Sequence, residues 1–188
     1  MIFYSNSPEM QFPIKVLTLL SVFVLLLSSC TFVYGQKAEE LLQSGHDAFE
    51  LKDYKVAIEK YQEALEQKAD YVDAYRGLWK SKMELGKKVS ALYTIRRALA
   101  IDSTLADAYL DRSILLTNRS KNFDLVFQQL DSALLLKPDY AEAFFQKGMV
   151  YLAMGDAVSA CPNWQKAADL NYEKATFFLG LYCDKKKK

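Results

Sequence analysis

Residues 72–101 read VDAYRGLWKSKMELGKKVSALYTIRRALAI, and two short strings from this stretch recur along the chain. The string Asp73-Ala74-Tyr75 returns as Asp107-Ala108-Tyr109 and as Glu142-Ala143-Phe144, at spacings of 34 and 35 residues. The pair Ala98-Leu99 has counterparts at Ala64-Leu65, Ala133-Leu134 and Ala167-Ala168. Such a period indicates an array of similar supersecondary units, each packing on its neighbours.

The positions around these strings indicate paired helices. A bulky residue precedes each recurring alanine by three positions, which places the two on one helix face. These bulky residues are Tyr61, Ile95, Leu130 and Trp164. Turn-forming residues separate the helical stretches, at Lys52-Asp53, Gly86-Lys87, 118–122 and Gly155-Asp156. The pattern predicts two helices of about 14 residues in every unit.

This arrangement resembles the tetratricopeptide repeat (TPR), a helix–turn–helix unit of 34 residues. The resemblance implies an all-α fold, a right-handed α-solenoid of four units with a C-terminal capping helix. The predicted units are 38–71, 72–105, 106–140 and 141–171, followed by the cap at 172–184 and a basic tail at 185–188.

Three local features depart from the regular pattern. Trp79 occupies a column where the family has a small residue, so we expect the second unit to be splayed or repacked. The third unit has one additional residue near 118–121, which predicts a longer surface loop. Pro162 suggests that its helix begins late, with Ser159 as the N-cap, because proline is tolerated in the first turn.

The N-terminal 35 residues are typical of an export signal. Residues 14–27 read IKVLTLLSVFVLLL, with Lys15 as the only charge, and this run is short for a membrane-spanning helix. Two cleavage sites compete, one before Gln36 and one at Cys30, where Leu27-Ser28-Ser29-Cys30 resembles a bacterial lipoprotein signal. A retained membrane anchor is the third alternative. Each alternative predicts an exported chain, in the periplasm or associated with the outer membrane.

The composition argues against several classes of function. The chain has 24 Lys and Arg against 23 Asp and Glu, a net charge of +1, so no strong basic field favours nucleic acid. The single histidine, His46, argues against a metal site built from several histidines and against a hydrolase triad. There is no glycine-rich phosphate loop. We therefore expect no enzyme activity and no cofactor, and we interpret His46 as a groove or packing residue.

Two cysteines are expected to meet near the C-terminus. Cys161 and Cys183 lie at similar distances from a turn near 171–172, on two helices that should run antiparallel. In an oxidising compartment this predicts a disulfide that holds the capping helix. The alternative is a pair of unpaired, buried thiols.

The TPR resemblance implies that another protein binds as a peptide or helix in a concave groove lined by the first helices. The residues expected to line it are Leu42, His46, Phe49, Arg76, Lys80, Met83, Leu110, Ile114, Thr117, Phe145, Met149 and Leu152. This groove is mostly apolar with two cations, which suits a partly apolar segment carrying an acidic residue or two. Leu42 and His46 stand where chaperone-binding members begin to grip a C-terminal carboxylate, so that mode is not expected.

An alternative function follows from the last helix. Its aromatic and aliphatic residues, 177–182, look too apolar for a simple cap, which suggests a contact surface. In this interpretation the chain is a structural or assembly subunit of an envelope complex, or a homo-oligomer.

Overall fold

The computed structural model describes residues 36–117 and 122–183. These residues form nine helices and no strand. The helices are α1 (36–50), α2 (Tyr54–Gln67), α3 (Val72–Glu84), α4 (Lys88–Ile101), α5 (Ala106–Thr117), α6 (Phe123–Leu136), α7 (Ala141–Ala153), α8 (Ala157–Asp169) and α9 (Glu173–Tyr182). The predicted all-α fold is confirmed: consecutive helix pairs pack as in a TPR solenoid.

The recurring alanines sit where consecutive helices cross. Two columns of the repeat, seven alanines and one valine, are completely buried. The first column is Ala57, Ala91, Val126 and Ala160, and the second is Ala64, Ala98, Ala133 and Ala167. Small side chains at these crossings allow the helix axes to approach closely, and larger side chains fill the space between units. The core is therefore divided into four clusters along the array, and each unit buries its apolar face on its neighbours.

The turn within a unit uses the same backbone conformation in the three places where it is described. Lys52, Gly86 and Gly155 have φ values of 59°, 68° and 82°. Asp53 and Asp156 then cap the following helices, each accepting a hydrogen bond from a backbone N–H three residues later. The longer loop predicted at 118–121 lies outside the described residues.

The second unit is repacked around Trp79 and is not splayed. In the first and last units a glycine contacts a large ring: Gly45 lies against Tyr61, and Gly148 against Trp164. The second unit reverses the sizes, because Trp79 shares its cluster with the smaller Ile95, and both are completely buried. The large residue has moved to the other helix while the interface stays filled.

The expected late start of α8 is wrong. The helix begins at Ala157, and its N-cap is Asp156, whose side chain accepts a hydrogen bond from the Ser159 backbone N–H. Pro162 lies inside the helix, on its exposed side. Because the Asp156 cap starts the helix at Ala157, Pro162 lies in the second turn. There the proline removes one backbone hydrogen bond of the helix.

The last helix, α9, packs on α8 and is linked to it covalently. Cys161 and Cys183 form a disulfide with their Cα atoms 5.9 Å apart. Within residues 36–117 and 122–183, no helix is long and apolar enough to cross a bilayer. The predicted export signal, Cys30 and the lysine tail lie outside the described residues.

Candidate functional site

A cavity of about 280 Å³ opens between the first helices of the first two units. Helix α1 contributes Leu42, His46 and Phe49, and α2 contributes Tyr61. Helix α3 contributes Asp73, Arg76, Gly77 and Lys80. Five of the residues predicted for the groove are thus brought together here: Leu42, His46, Phe49, Arg76 and Lys80. The wall from α1 and α2 is largely apolar, and the wall from α3 carries the charges.

The floor of the cavity is the ring of Tyr61, held between two glycines. A Cβ atom at Gly45 would lie 2.6 Å from Tyr61 Cε1, and one at Gly77 would lie 2.2 Å from Tyr61 Cζ. The ring therefore occupies space that only glycine leaves open on α1 and α3. His46 contacts the same ring edge-on, with the centroids 5.7 Å apart. This fit fixes the spacing of the two helices that form the cavity walls.

The Tyr61 hydroxyl is neutral at physiological pH. Burial, with a smaller contribution from the charge of Glu50, raises the pKa of Tyr61 to about 12. A neutral phenol does not serve as a base. His46 is exposed at the rim. The cavity thus offers groups that bind, with no nucleophile and oriented base side by side.

The two cations of the cavity differ in their availability. The Arg76 guanidinium pairs with Asp73 on its own helix and with Asp107 on α5, where Nε lies 2.7 Å from Oδ2. Burial lowers the Arg76 pKa, but the bonds and charges of Asp107 and Asp73 outweigh it and raise the value. Lys80 is exposed and has no carboxylate within 4.0 Å among the described residues. Both predicted cations line the cavity, and among the described residues only Arg76 has carboxylate partners.

The remaining predicted groove residues lie outside this cavity. Leu110 is 2% exposed and Phe145 is 6% exposed, so both belong to the core. Phe145 packs against the rings of Tyr172 and Phe178. Met83, Ile114 and Met149 pack against three different core clusters, and Thr117 donates a hydrogen bond to the Ser113 carbonyl. The cavity between α1 and α3 is therefore lined only by predicted groove residues from the first two units.

Sequence reasoning missed three residues of this region. The sequence predicted only a packing role for Tyr61 and none for Gly77. Their signal is that the positions on both sides of the Tyr61 ring must be glycine, because any side chain there would overlap the ring. Asp111 is mostly buried on α5 and accepts a 2.8 Å hydrogen bond from the Trp79 indole. Burial raises the Asp111 pKa to about 6, although the Trp79 bond and Lys80 lower it. Nothing in the sequence distinguishes Asp111 from an ordinary solvated carboxylate.

The helix pairs define the class of the molecule: it has the tetratricopeptide-repeat fold, with a cavity between the first helices of the first two units. The sequence matches no protein-family model and no curated protein.

Solved structures give the comparison. MamA is 23% identical and has a TM-score of 0.67, over 79% of this chain and 81% of that chain. YrrB, a TPR protein with an unusual peptide-binding site, is 21% identical with a TM-score of 0.64, over 85% and 86%. The first TPR of Spaghetti (RPAP3), bound to the HSP90 peptide SRMEEVD, is 20% identical with a TM-score of 0.60, over 64% and 94%. At these identities the likeness establishes the fold.

Proposed function

We propose that this chain is a non-catalytic adaptor that binds a peptide or helical segment of another protein in the cavity between α1 and α3. One observation carries the proposal: an open cavity joins an apolar wall to the ammonium of Lys80, which has no carboxylate within 4.0 Å among the described residues. Such a cavity fits one apolar side chain next to one carboxylate, because the apolar wall gains from desolvation and the ammonium fixes the acidic neighbour.

The fold neighbours support a peptide ligand. YrrB has a peptide-binding site, and the RPAP3 domain is bound to a peptide with two consecutive glutamates. The cavity of this chain has its own chemistry, since Arg76 is neutralised by Asp73 and Asp107. We therefore propose that the partner segment presents fewer acidic groups to this cavity than a doubly acidic peptide does.

We also propose that the adaptor works outside the cytoplasm, in the periplasm or at the outer membrane. The apolar run at 14–27 supports export, and the Cys161–Cys183 disulfide suits an oxidising compartment. The intact mass of the mature chain distinguishes cleavage before Gln36 from lipidation at Cys30 and from a retained anchor.

The test compares partner capture by matched variants. We would cross-link intact cells, purify the tagged chain and identify its companions. We expect Lys80→Glu to reduce capture of the dominant companion about tenfold, because it replaces attraction for a carboxylate by repulsion. Lys55→Glu makes the same charge change on the exposed face of α2 and should leave capture unchanged.

Equal capture by the two variants would remove the cavity as the binding site. The second candidate function is that of a structural subunit, and that result would favour it. Its support is that Phe177 and Leu181 on α9 are 68% and 53% exposed. This apolar face suits a subunit that docks through its last helix, and self-linked species joined through α9 would favour it.

A further inference from the structure

Helix α4 presents a basic face on the side of the array opposite to its core contacts. Residues 85–101 contain four cations, Lys87, Lys88, Arg96 and Arg97, and no acidic residue. Two large apolar side chains are exposed among them, Val89 at 64% and Tyr93 at 54%. An exposed helix usually mixes both signs of charge, so this composition indicates a surface suited to a negative partner.

Two cavities flank this face of α4. The first, about 300 Å³, lies between α2 and α4, and its lining includes Leu65, Lys82, Thr94, Arg97 and one acid, Glu66. The second, about 290 Å³, lies between α4 and α5 and is lined by Val89, Leu92, Tyr93, Arg96, Arg112 and Leu116. Tyr93 lines both cavities. Each cavity therefore combines aliphatic side chains with two cations.

The four cations in these cavities have no ionic partner within the described residues. Neither Lys82 nor any of the three arginines has a carboxylate within 4.0 Å. Lys82 Nζ donates to Thr94 Oγ1 at 2.8 Å, while Arg97 stacks over Tyr75 and Arg96 over Tyr93. Burial, with the nearby charge of Lys87, lowers the Lys82 pKa. Lys82 and Arg112 are half-buried, so an incoming carboxylate gains more from them than from a solvated lysine, while the exposed Arg96 and Arg97 add positive charge at the mouths of the cavities.

We propose that this α4 face is a second docking surface, which binds an acidic amphipathic segment of a protein independently of the α1–α3 cavity. Apolar side chains of the segment enter the two cavities beside Leu65 and Leu92. Its carboxylates reach Lys82 and Arg97 on one side of α4, and Arg96 and Arg112 on the other. The chain is then an adaptor with two binding faces, able to hold two partners at once.

The geometry favours a protein segment over other anionic partners. Lys82 lies within a cavity, where a side-chain carboxylate can enter and a planar bilayer surface cannot follow. Glu66 in the same cavity opposes the dense negative charge of a nucleic-acid backbone. A segment with spaced carboxylates and apolar side chains satisfies both conditions.

The test uses the purified chain and a synthetic amphipathic helical peptide with Leu on one face and Glu on the opposite face. The peptide is labelled for fluorescence anisotropy. A matched peptide with Lys in place of Glu is the control. We expect the acidic peptide to bind at least tenfold more tightly than the basic one. We expect Arg96→Gln with Arg112→Gln, and separately Lys82→Gln with Arg97→Gln, each to weaken binding of the acidic peptide about tenfold. Far-ultraviolet circular dichroism would establish that both double variants remain folded.

The variant Lys80→Gln, which changes the α1–α3 cavity, separates this proposal from the proposed function. It should leave affinity for the acidic peptide unchanged, since Lys80 lines the other cavity. Binding lost in Lys80→Gln but kept in both double variants would overturn the α4 site while supporting the α1–α3 cavity. Three other results would overturn the α4 proposal. They are equal binding of the acidic and basic peptides, no binding at millimolar peptide concentration, and binding of the chain only to vesicles that contain phosphatidylglycerol.

Discussion

A single buried ring, that of Tyr61, sets the spacing between the first two units. The ring is 1% exposed and lies where a side chain on Gly45 or Gly77 would overlap it. Both glycines have ordinary helical backbone conformations, so their role is space and not φ. The same ring forms the floor of the α1–α3 cavity. Packing and the candidate site therefore depend on the same three residues.

This close approach predicts that Gly77→Ala destabilises the fold. The added Cβ would lie 2.2 Å from Tyr61 Cζ, and relieving the overlap should lower the free energy of unfolding by about 1–3 kcal/mol. Gly180→Ala is the matched control, because a Cβ there has nothing within 4 Å. Since alanine favours the helix over glycine, the control should raise stability by up to about 1 kcal/mol. Urea denaturation measures both, and two changes of the same sign would contradict the argument.

At the scale of one element, α9 closes the end of the array with one face and exposes the other. Phe178 packs against the rings of Phe145 and Trp164, while Phe177 and Leu181 remain exposed. Trp164 is completely buried beneath α9, and its Nε1 has no hydrogen-bond partner in the described structure. The helix has ten residues, too few to be stable alone, so its position depends on this packing and on the disulfide.

The disulfide should therefore be required for a stable C-terminal end. We expect Cys161→Ser with Cys183→Ser to lower the free energy of unfolding by about 3 kcal/mol. This is the effect of no longer closing the loop between residues 161 and 183 in the unfolded chain. Hydrogen exchange should show the loss first in α9, because the disulfide anchors the C-terminal end of this short helix. The chain denatured without reductant should also show two thiols fewer than the reduced chain. Equal thiol counts before and after reduction would contradict the bond.

At the scale of the whole molecule, polar contacts bridge the second and third units where α3 faces α5. Arg76 Nε donates to Asp107, and Trp79 Nε1 donates to Asp111. Asp111 is the costly member of this set, because burial raises its pKa from 3.8 to about 6. Its carboxylate opposes folding when it is ionised, and it is ionised at neutral pH. The contribution of Asp111 to the stability of this junction is thus smaller at pH 7 than at pH 4.

This predicts a pH-dependent effect of Asp111→Asn on the stability of the whole array. The folded state binds the extra proton between about pH 4 and pH 6, so wild-type stability from this group falls as pH rises through that window. The variant keeps an oxygen to accept the Trp79 bond and carries no charge. It should match wild type at pH 4 and exceed it above pH 6 by on the order of 2 kcal/mol. Urea denaturation at pH 4 to 8 tests this; a constant difference across that range would contradict it.

The fold could be predicted from local sequence because each unit repeats the same packing rule over 34 or 35 residues. The recurring alanines mark the helix crossings, and all of them are buried. Equal offsets from one turn likewise placed Cys161 opposite Cys183. The start of α8 escaped prediction, because the capping strength of Asp156 outweighed the boundary suggested by Pro162.

The candidate sites depended on contacts between units, which periodicity does not encode. The sequence alone determined the helical array and its paired strings, since those reflect spacing within 34 residues. Only the tertiary structure decided that Asp107 from the next unit neutralises Arg76 and that Leu110 and Phe145 are buried. It also decided that Lys80 has no carboxylate within 4.0 Å in the part of the chain that the structure describes. The same holds for the four cations of the two cavities beside α4, which have no carboxylate within 4.0 Å in residues 36–117 and 122–183: Lys82, Arg96, Arg97 and Arg112. The physical reason is that local spacing sets which face a side chain occupies, whereas its charge balance depends on neighbours about 30 residues away in sequence.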